Sequence, residues 1–276
     1  MKLKKGYLND YSMNLRKAKN TIELLSGQWM IPNPDIFIGI IEKLWISYES
    51  AIKSNTQNFE FSFIEGENKI RLNHLFFLDL QEKDKIRQEK LKDRIVGIFL
   101  VVNEIEKRFE VKFNKSILKK LLLFARENKD FSLQFGLEYD IRVKPRVKIY
   151  FSINAKDFPL RHFCRLVNFD FETLDSVFLT SKFDTVAVDF FPDETFSLKL
   201  YPLISPNDGL LMRFSDKNGI ISKKVWRRFQ GGLDVENFRK INFPIIPVFL
   251  QKYIIKNKMK IFYFCTENNK KSFYFR

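Results

Sequence analysis

The chain has 276 residues, a formal net charge of +15 and 45% hydrophobic residues. The hydrophobic content is that of a packed globule and excludes a disordered chain, and the length fits one large domain or two small ones. The positive charge favours an anionic partner such as nucleic acid, anionic lipid or a phosphorylated small molecule, without choosing among them.

The lack of recognisable targeting signals and the placement of the two cysteines predict a cytoplasmic protein. The first residues, Met1 to Lys5, contain no apolar core of a signal peptide. No uncharged apolar run reaches the length of a membrane span, so we expect no membrane partner. Cys164 and Cys265 each lie in an apolar segment. This placement predicts small buried hydrophobes, rather than a disulfide framework or a zinc site.

The first half of the chain combines helical patterns with paired strands. Apolar residues recur at helical spacing over 13–29 and 35–54, which predicts a helical N-terminal segment of about 13–54. A strand pair is predicted at 59–63 and 70–80, followed by helices at 83–110 and 115–128.

The second half continues the same alternation. Four further strand pairs are predicted, at 131–141 with 146–154, 184–191 with 196–204, 209–215 with 220–229, and 258–265 with 271–275. Helices are predicted at 157–168, with Asp157 as a possible N-cap, and at 170–180. Residues 234–256 are expected to be helical or mixed, because Pro244 and Pro247 interrupt them.

Five hairpins with intervening helices predict an α+β fold. We expect one domain over 1–276, an antiparallel ten-stranded β-barrel with a solvent-filled core, surrounded by α-helices. An open α+β sheet built from the same elements is the alternative.

A lysine followed two residues later by an aromatic residue recurs in three predicted strands. The pairs are Lys148 with Tyr150, Lys199 with Tyr201, and Lys260 with Phe262, and the lysines are 51 and 61 residues apart. This spacing indicates a repeated unit of about 50–60 residues. Because side chains alternate along a strand, each lysine shares a face with its aromatic residue. Such a face can bind a diphosphate and stabilise a cation, although in any single strand it can simply be solvated.

Two further strands carry candidate functional residues. Lys224, Trp226 and Arg228 alternate with Val225 and share one face. Glu60 lies between Phe59 and Phe61, and a carboxylate that faces a cavity is a candidate general base. A solvent-facing glutamate on an edge strand is the alternative. The sequence contains no Gly-rich phosphate loop and no metalloprotease motif, and its two histidines, His74 and His162, are too few for a histidine metal cluster.

These features resemble the aromatic prenyltransferases of the ABBA, or PT-barrel, fold, and most closely the cyanobactin-type peptide prenyltransferases. The resemblance rests on the hairpin order, the Lys-x-Tyr strands and the absence of an aspartate-rich DDxxD motif, and it covers most of the chain from about residue 30. It implies that Glu60 is the catalytic base. The residues that it assigns to the diphosphate are His74, Lys148, Lys199 and Lys260, with His74 standing where the family has an arginine. The residues expected to shield the allyl cation are Tyr150, Tyr201, Trp226 and Phe262.

The resemblance implies an enzyme that transfers a dimethylallyl or geranyl group from its diphosphate to a side chain of a cyclic, ribosomally made peptide. A prenyltransferase of small aromatic metabolites or indoles is the first alternative, and a non-enzymatic single-strand nucleic-acid-binding protein is the second. The expected partners are the isoprenyl diphosphate and the peptide, not nucleic acid. No tightly bound cofactor and no metal site are expected, although Mg²⁺ can accompany the diphosphate.

Overall fold

The computed structural model describes most of the chain from residue 57 onwards. The described residues are 57–64, 69–78, 85–128, 131–140, 145–153, 159–169, 183–205, 207–215, 219–240, 246, 248–267 and 270–275, with single positions between 16 and 39. The predicted helix at 170–180 and the predicted cap Asp157 lie outside the described residues. The same holds for the helices at 13–29 and 35–54, apart from those single positions.

The five predicted strand pairs are confirmed as elements. The strands in the described part of the chain are β1 (Gln57–Ile64), β2 (Lys69–Leu78), β3 (Phe131–Asp140), β4 (Arg146–Ile153), β5 (Phe183–Phe190), β6 (Phe196–Pro202), β7 (Asp208–Ser215), β8 (Gly219–Leu233), β9 (Ile261–Glu267) and β10 (Lys270–Phe275). They are hydrogen-bonded in the order β1-β10-β9-β8-β7-β6-β5-β4-β3-β2. Because β1 pairs antiparallel with both β2 and β10, this order closes on itself.

The described helices follow the predicted pattern with shorter ends. They are α1 (Lys85–Phe109), α2 (Lys115–Glu127), α3 (Leu160–Leu166), α4 (Val235–Lys240) and α5 (Val248–Lys256). Asn114 caps α2 by accepting a hydrogen bond from the backbone N–H of Ile117 at 3.1 Å. The helix predicted at 157–168 begins only after Pro159, which stands at its N-cap. Among these helices, none combines the length and the apolar character that a membrane crossing needs.

One face of the strands packs against the helices and forms the main core. In α1, Ile98, Val102 and Ile105 repeat at helical spacing and are fully buried. Phe124 of α2, Phe151 of β4 and Phe163 of α3 meet edge to face, with ring centroids 5.2–5.7 Å apart. This arrangement suits the ring quadrupoles and fixes both helices to the sheet.

Truncation of Phe151 should therefore destabilise the fold strongly. We expect Phe151→Ala to lower the free energy of unfolding by about 3–5 kcal/mol, because it removes a fully buried ring and leaves a cavity between two helices. Urea unfolding followed by circular dichroism measures the change. Leu100→Ala is the control, since Leu100 is 63% exposed on α1. A similar small effect in both variants would contradict the packing described.

Candidate active site

The strands carry a second face, opposite to the helix-packed one, that is rich in charged and aromatic side chains. In β4, Val147, Ile149 and Phe151 are fully buried in the core, so Lys148 and Tyr150 belong to the opposite face. In β6, Leu198 and Leu200 alternate in the same way with Lys199 and Tyr201. We call this second face the polar face. Its described members include Glu60, Glu138, Arg146, Lys148, Tyr150, Asp189, Ser197, Lys199, Tyr201, Lys224, Trp226, Arg228, Tyr263 and Tyr274.

The strand register brings the two predicted lysines close to one another. Lys148 on β4 lies opposite Asp189 on β5, which in turn lies opposite Ser197 on β6. Tyr150 lies opposite Ala187, which lies opposite Lys199. Strand β5 therefore lies between Lys148 and Lys199. The two lysines are offset by two residues along the strands, which is one position of the polar face.

Both lysines are buried, and both are ion-paired. Lys148 pairs with Glu138 of β3, which also pairs with Arg146. Lys199 pairs with Asp189. Asp189 is fully buried, and Lys199 is 3% exposed. Burial of these charges requires partners, since a lone ion in the interior would neutralise itself by a change of protonation.

The buried groups of this cluster have shifted pKa values. Burial lowers the pKa of Lys148, and Glu138 and Asp189 partly oppose this shift because they stabilise the ammonium form. Burial raises the pKa of Tyr150 well above its usual value, and Tyr201 and Asp189 add to the effect. Tyr150 therefore remains a neutral phenol throughout the physiological pH range.

An aromatic cluster lies next to these charges. Trp226 and Cys265 are buried together, and Tyr201 and Tyr274 pack against them. Gly209 lies opposite Trp226, and a Cβ atom at this glycine would lie 2.5 Å from the indole Cε2. The absence of a side chain at Gly209 thus lets the indole ring lie against the backbone of β7.

Arg228 connects the aromatic cluster to the neighbouring strand. Its guanidinium lies 5.4 Å from the ring centroid of Trp226 and 5.6 Å from that of Tyr263. Tyr263 meets Tyr274 edge to face at 6.3 Å. The quadrupoles of both rings attract the guanidinium at these distances.

Glu60 occupies the polar face on β1 and is 8% exposed. The register places it in one row with Asn73 of β2, Glu138 of β3 and Arg146 of β4. Two strand spacings separate Glu60 from Glu138, which is roughly 10 Å measured across the strands. Glu60 and the lysine cluster, which is Lys148 and Lys199 with their charged neighbours Glu138, Asp189 and Arg146, therefore share one face of the strands.

Lys260 and Phe262 lie elsewhere than predicted. Lys260 precedes β9, is exposed, and donates a hydrogen bond to the Gly231 carbonyl oxygen at 3.3 Å. Gly231 and Gly232 have positive φ angles of 70° and 72°, and the register between β8 and β9 is irregular here. This irregularity changes which residues of β9 belong to the polar face. Tyr263 is the member that faces Arg228, whereas Phe262 packs beside Gly232.

The register also separates His74 from the lysine cluster. His74 lies opposite Phe59 of β1 and Leu137 of β3, and Leu137 is buried in the helix-packed core. Asn73 is the residue of β2 in the row of Glu60 and Glu138. Successive residues of a strand belong to opposite faces. The register therefore places His74 on the face opposite to Glu60 and Glu138, and not at the diphosphate site where its role was predicted.

The sequence interpretation missed the carboxylates Glu138 and Asp189, together with Arg146. As they stand, these carboxylates do not fit a resident Mg²⁺ site, because each is engaged by a lysine. Within the described residues, no group of three or more His, Cys, Asp or Glu side chains is arranged to hold a metal ion.

Comparison with known proteins adds no family assignment. No protein-family model matches the chain, and no curated protein matches it either. The functional interpretation therefore depends on the geometry of the polar face and on the resemblance described above.

Proposed function

We propose that the chain transfers a dimethylallyl or geranyl group from its diphosphate to a side chain of a peptide. The observation that carries this proposal is the placement of two Lys-x-Tyr pairs, Lys148 with Tyr150 and Lys199 with Tyr201, on one polar face, where both lysines are buried. The family resemblance supplies the peptide as acceptor. The geometry supports the donor half of the reaction most directly.

The lysine cluster would bind the diphosphate and assist its departure. Lys148 and Lys199 lie on either side of β5, so their ammonium groups can approach one anion from two sides. When the allylic C–O bond breaks, its electron pair leaves with the diphosphate oxygen, where negative charge increases. Fixed ammonium and guanidinium groups in a site of low dielectric constant stabilise that charge strongly.

The aromatic cluster would stabilise the allyl cation that remains. The faces of Trp226, Tyr201 and Tyr274 attract a cation through their ring quadrupoles. They also exclude water, which would otherwise capture the cation as an alcohol. Tyr150 contributes as a neutral phenol, because a phenolate so close to the cation would itself be alkylated.

Glu60 would complete the reaction at the acceptor. The nucleophilic atom of the peptide forms a bond to the allylic carbon and loses one proton, and the Glu60 carboxylate accepts that proton. The position of Glu60 on the polar face, in the row of Glu138 but two strands away, supports this role. A base at this distance reaches the acceptor without contacting the leaving diphosphate.

Nucleic-acid binding is less well supported by the burial of the charges. A protein that binds a single strand should present its lysines along an exposed groove. Lys119 and Lys120 of α2 are exposed, but Lys148 and Lys199 are buried and ion-paired. The buried lysines fit one small anion better than an extended phosphate backbone.

Mass spectrometry of reaction mixtures tests the proposal. Cyclic and linear peptides, indoles and small phenols are each incubated with dimethylallyl diphosphate and with geranyl diphosphate. We expect a peptide to gain the mass of one isoprenyl group. A product only from indoles or phenols would replace the peptide by a small aromatic acceptor, and the lack of any prenylated product would contradict the transferase.

Donor binding should depend on the buried lysines and not on the exposed ones. We expect Lys148→Met to weaken binding of a non-ionisable isoprenyl thiodiphosphate about 10-fold, near the lower limit for a charge-assisted hydrogen bond, because the lysine must first leave Glu138. Isothermal titration calorimetry measures the affinity. Lys119→Met on α2 is the matched control and should bind as the wild type does. Equal affinities in all three proteins would remove Lys148 from the donor site.

A further inference from the structure

The charges around the two buried lysines are nearly balanced before any ligand binds. Arg146, Lys148 and Lys199 are paired with Glu138 and Asp189. Among these described side chains, only one net positive charge remains. A diphosphate ester carries more than one negative charge at neutral pH. Its entry would therefore leave excess negative charge in a buried site, which is strongly unfavourable.

Asp189 is the carboxylate most affected by such an anion. It is fully buried at the centre of the cluster, with Lys148 and Tyr150 facing it from β4 and Lys199 and Ser197 from β6. Glu138 lies beyond Lys148 on β3, and Arg146 neutralises it. If Lys199 turns towards a phosphate oxygen, Asp189 loses its ion pair with that lysine. Glu138 would keep its ion pair with Arg146 when the anion binds.

Ser197 gives an independent indication that a ligand enters this row. Its side chain is 1% exposed, and its Oγ has no hydrogen-bond partner among the described residues. Buried hydroxyl groups nearly always have a partner. Ser197 lies directly opposite Asp189, so its hydroxyl can donate either to a phosphate oxygen or to the carbonyl oxygen of a protonated Asp189.

We propose that Asp189 takes up one proton when the diphosphate binds, while Lys199 exchanges its ion pair with Asp189 for one with the anion. The proton comes from the solvent, and Asp189 returns it when the diphosphate leaves. This inference builds on the proposed function and identifies Asp189 and Ser197 as positioning residues of the donor site. It makes donor binding sensitive to pH, with tighter binding at lower pH.

Calorimetry in two buffers tests the proton uptake with the wild-type protein. An isoprenyl thiodiphosphate and inorganic diphosphate are each titrated in PIPES and in Tris at the same neutral pH, since these buffers release protons with different enthalpies. We expect the observed enthalpies to differ by the amount that corresponds to uptake of about one proton. Binding without a buffer-dependent enthalpy would overturn the inference and leave the transferase proposal intact. Uptake with inorganic diphosphate alone would support the inference and contradict the isoprenyl donor.

Three variants, one of them a control, test which residue takes up the proton. In Asp189→Asn, the proton uptake should disappear, and binding at neutral pH should become about 10-fold tighter because a buried negative charge is removed. Asp193→Asn is the matched control, since Asp193 is exposed on the turn that follows β5, and it should keep the wild-type uptake. Ser197→Ala should weaken binding without changing the number of protons. Undiminished uptake in a folded Asp189→Asn protein would overturn the assignment.

Discussion

Lys199→Met should lower the free energy of unfolding by about 3–5 kcal/mol. The reason is the position of its partner, since Asp189 is fully buried and pairs with Lys199. Removal of the lysine leaves a buried carboxylate with less compensation, although Lys148 still faces it from the neighbouring strand. Urea unfolding near neutral pH measures the loss. Lys119→Met, on the exposed surface of α2, should change stability by less than about 0.5 kcal/mol.

A double variant separates the cost of an unbalanced charge from the value of the pair. We expect Lys199→Met with Asp189→Leu to recover most of the stability, because hydrophobic replacement of a whole buried ion pair is often neutral or stabilising. The recovered protein should nevertheless bind the isoprenyl diphosphate poorly, since it lacks a donor-site cation. A double variant as unstable as the single one would indicate that the pair does not act as a unit.

The buried ion pair of Lys199 and Asp189 on the polar face needs an explanation other than stability. An apolar core at Lys199 and Asp189 could be equally stable, so stability alone does not account for the two charges. A site that must alternate between an empty and an anion-bound state has a different requirement. Under the proposed mechanism, the carboxylate would hold the lysine in place while the site is empty, and protonation of the carboxylate would release the lysine when the anion binds.

The strand alternation explains how much of the polar face could be predicted from sequence. In β4 and β6, unbroken aliphatic positions flank Lys148 and Lys199, so a period of two assigns their faces without further information. The same rule applied to β5 would have found Asp189, because Val186, Val188 and Phe190 define the opposite face. Neither Glu138 nor Asp189 belongs to a Lys-x-aromatic pair, so that recurring pattern did not single them out.

The positions of Lys260 and His74 needed information that the sequence does not contain. Near Lys260, two glycines of β8 with positive φ angles interrupt the register of β8 against β9. Lys260 and Phe262 therefore follow the Lys-x-aromatic pattern in the sequence, but they do not occupy the positions of the polar face that Lys148 and Tyr150 occupy in β4. At His74, the pairing of β2 with both β1 and β3 decides the row. Register is a property of two strands together, so a pattern within one strand cannot establish it.

Glu60→Gln should lower the turnover of the proposed transfer by about 100-fold or more, because a neutral amide cannot accept the proton of the acceptor. The substitution preserves the size and shape of the side chain within β1, so the packing of Phe61 and Phe63 on the other face should be unaffected. Single-turnover measurements of product formation, made with saturating donor, report the chemical step separately from product release.

The donor affinity of Glu60→Gln and a control variant on α4 distinguish a catalytic role of Glu60 from a structural one. Donor affinity in Glu60→Gln should stay within about 3-fold of the wild type, since the register places Glu60 two strands away from Glu138 and its lysine, roughly 10 Å measured across the strands. Glu236→Gln, an exposed change on α4, should leave both turnover and affinity unchanged. A loss of donor affinity in Glu60→Gln would place Glu60 in the diphosphate cluster. Wild-type turnover would show that the acceptor loses its proton to another group, and Glu60 would then be a structural member of the polar face.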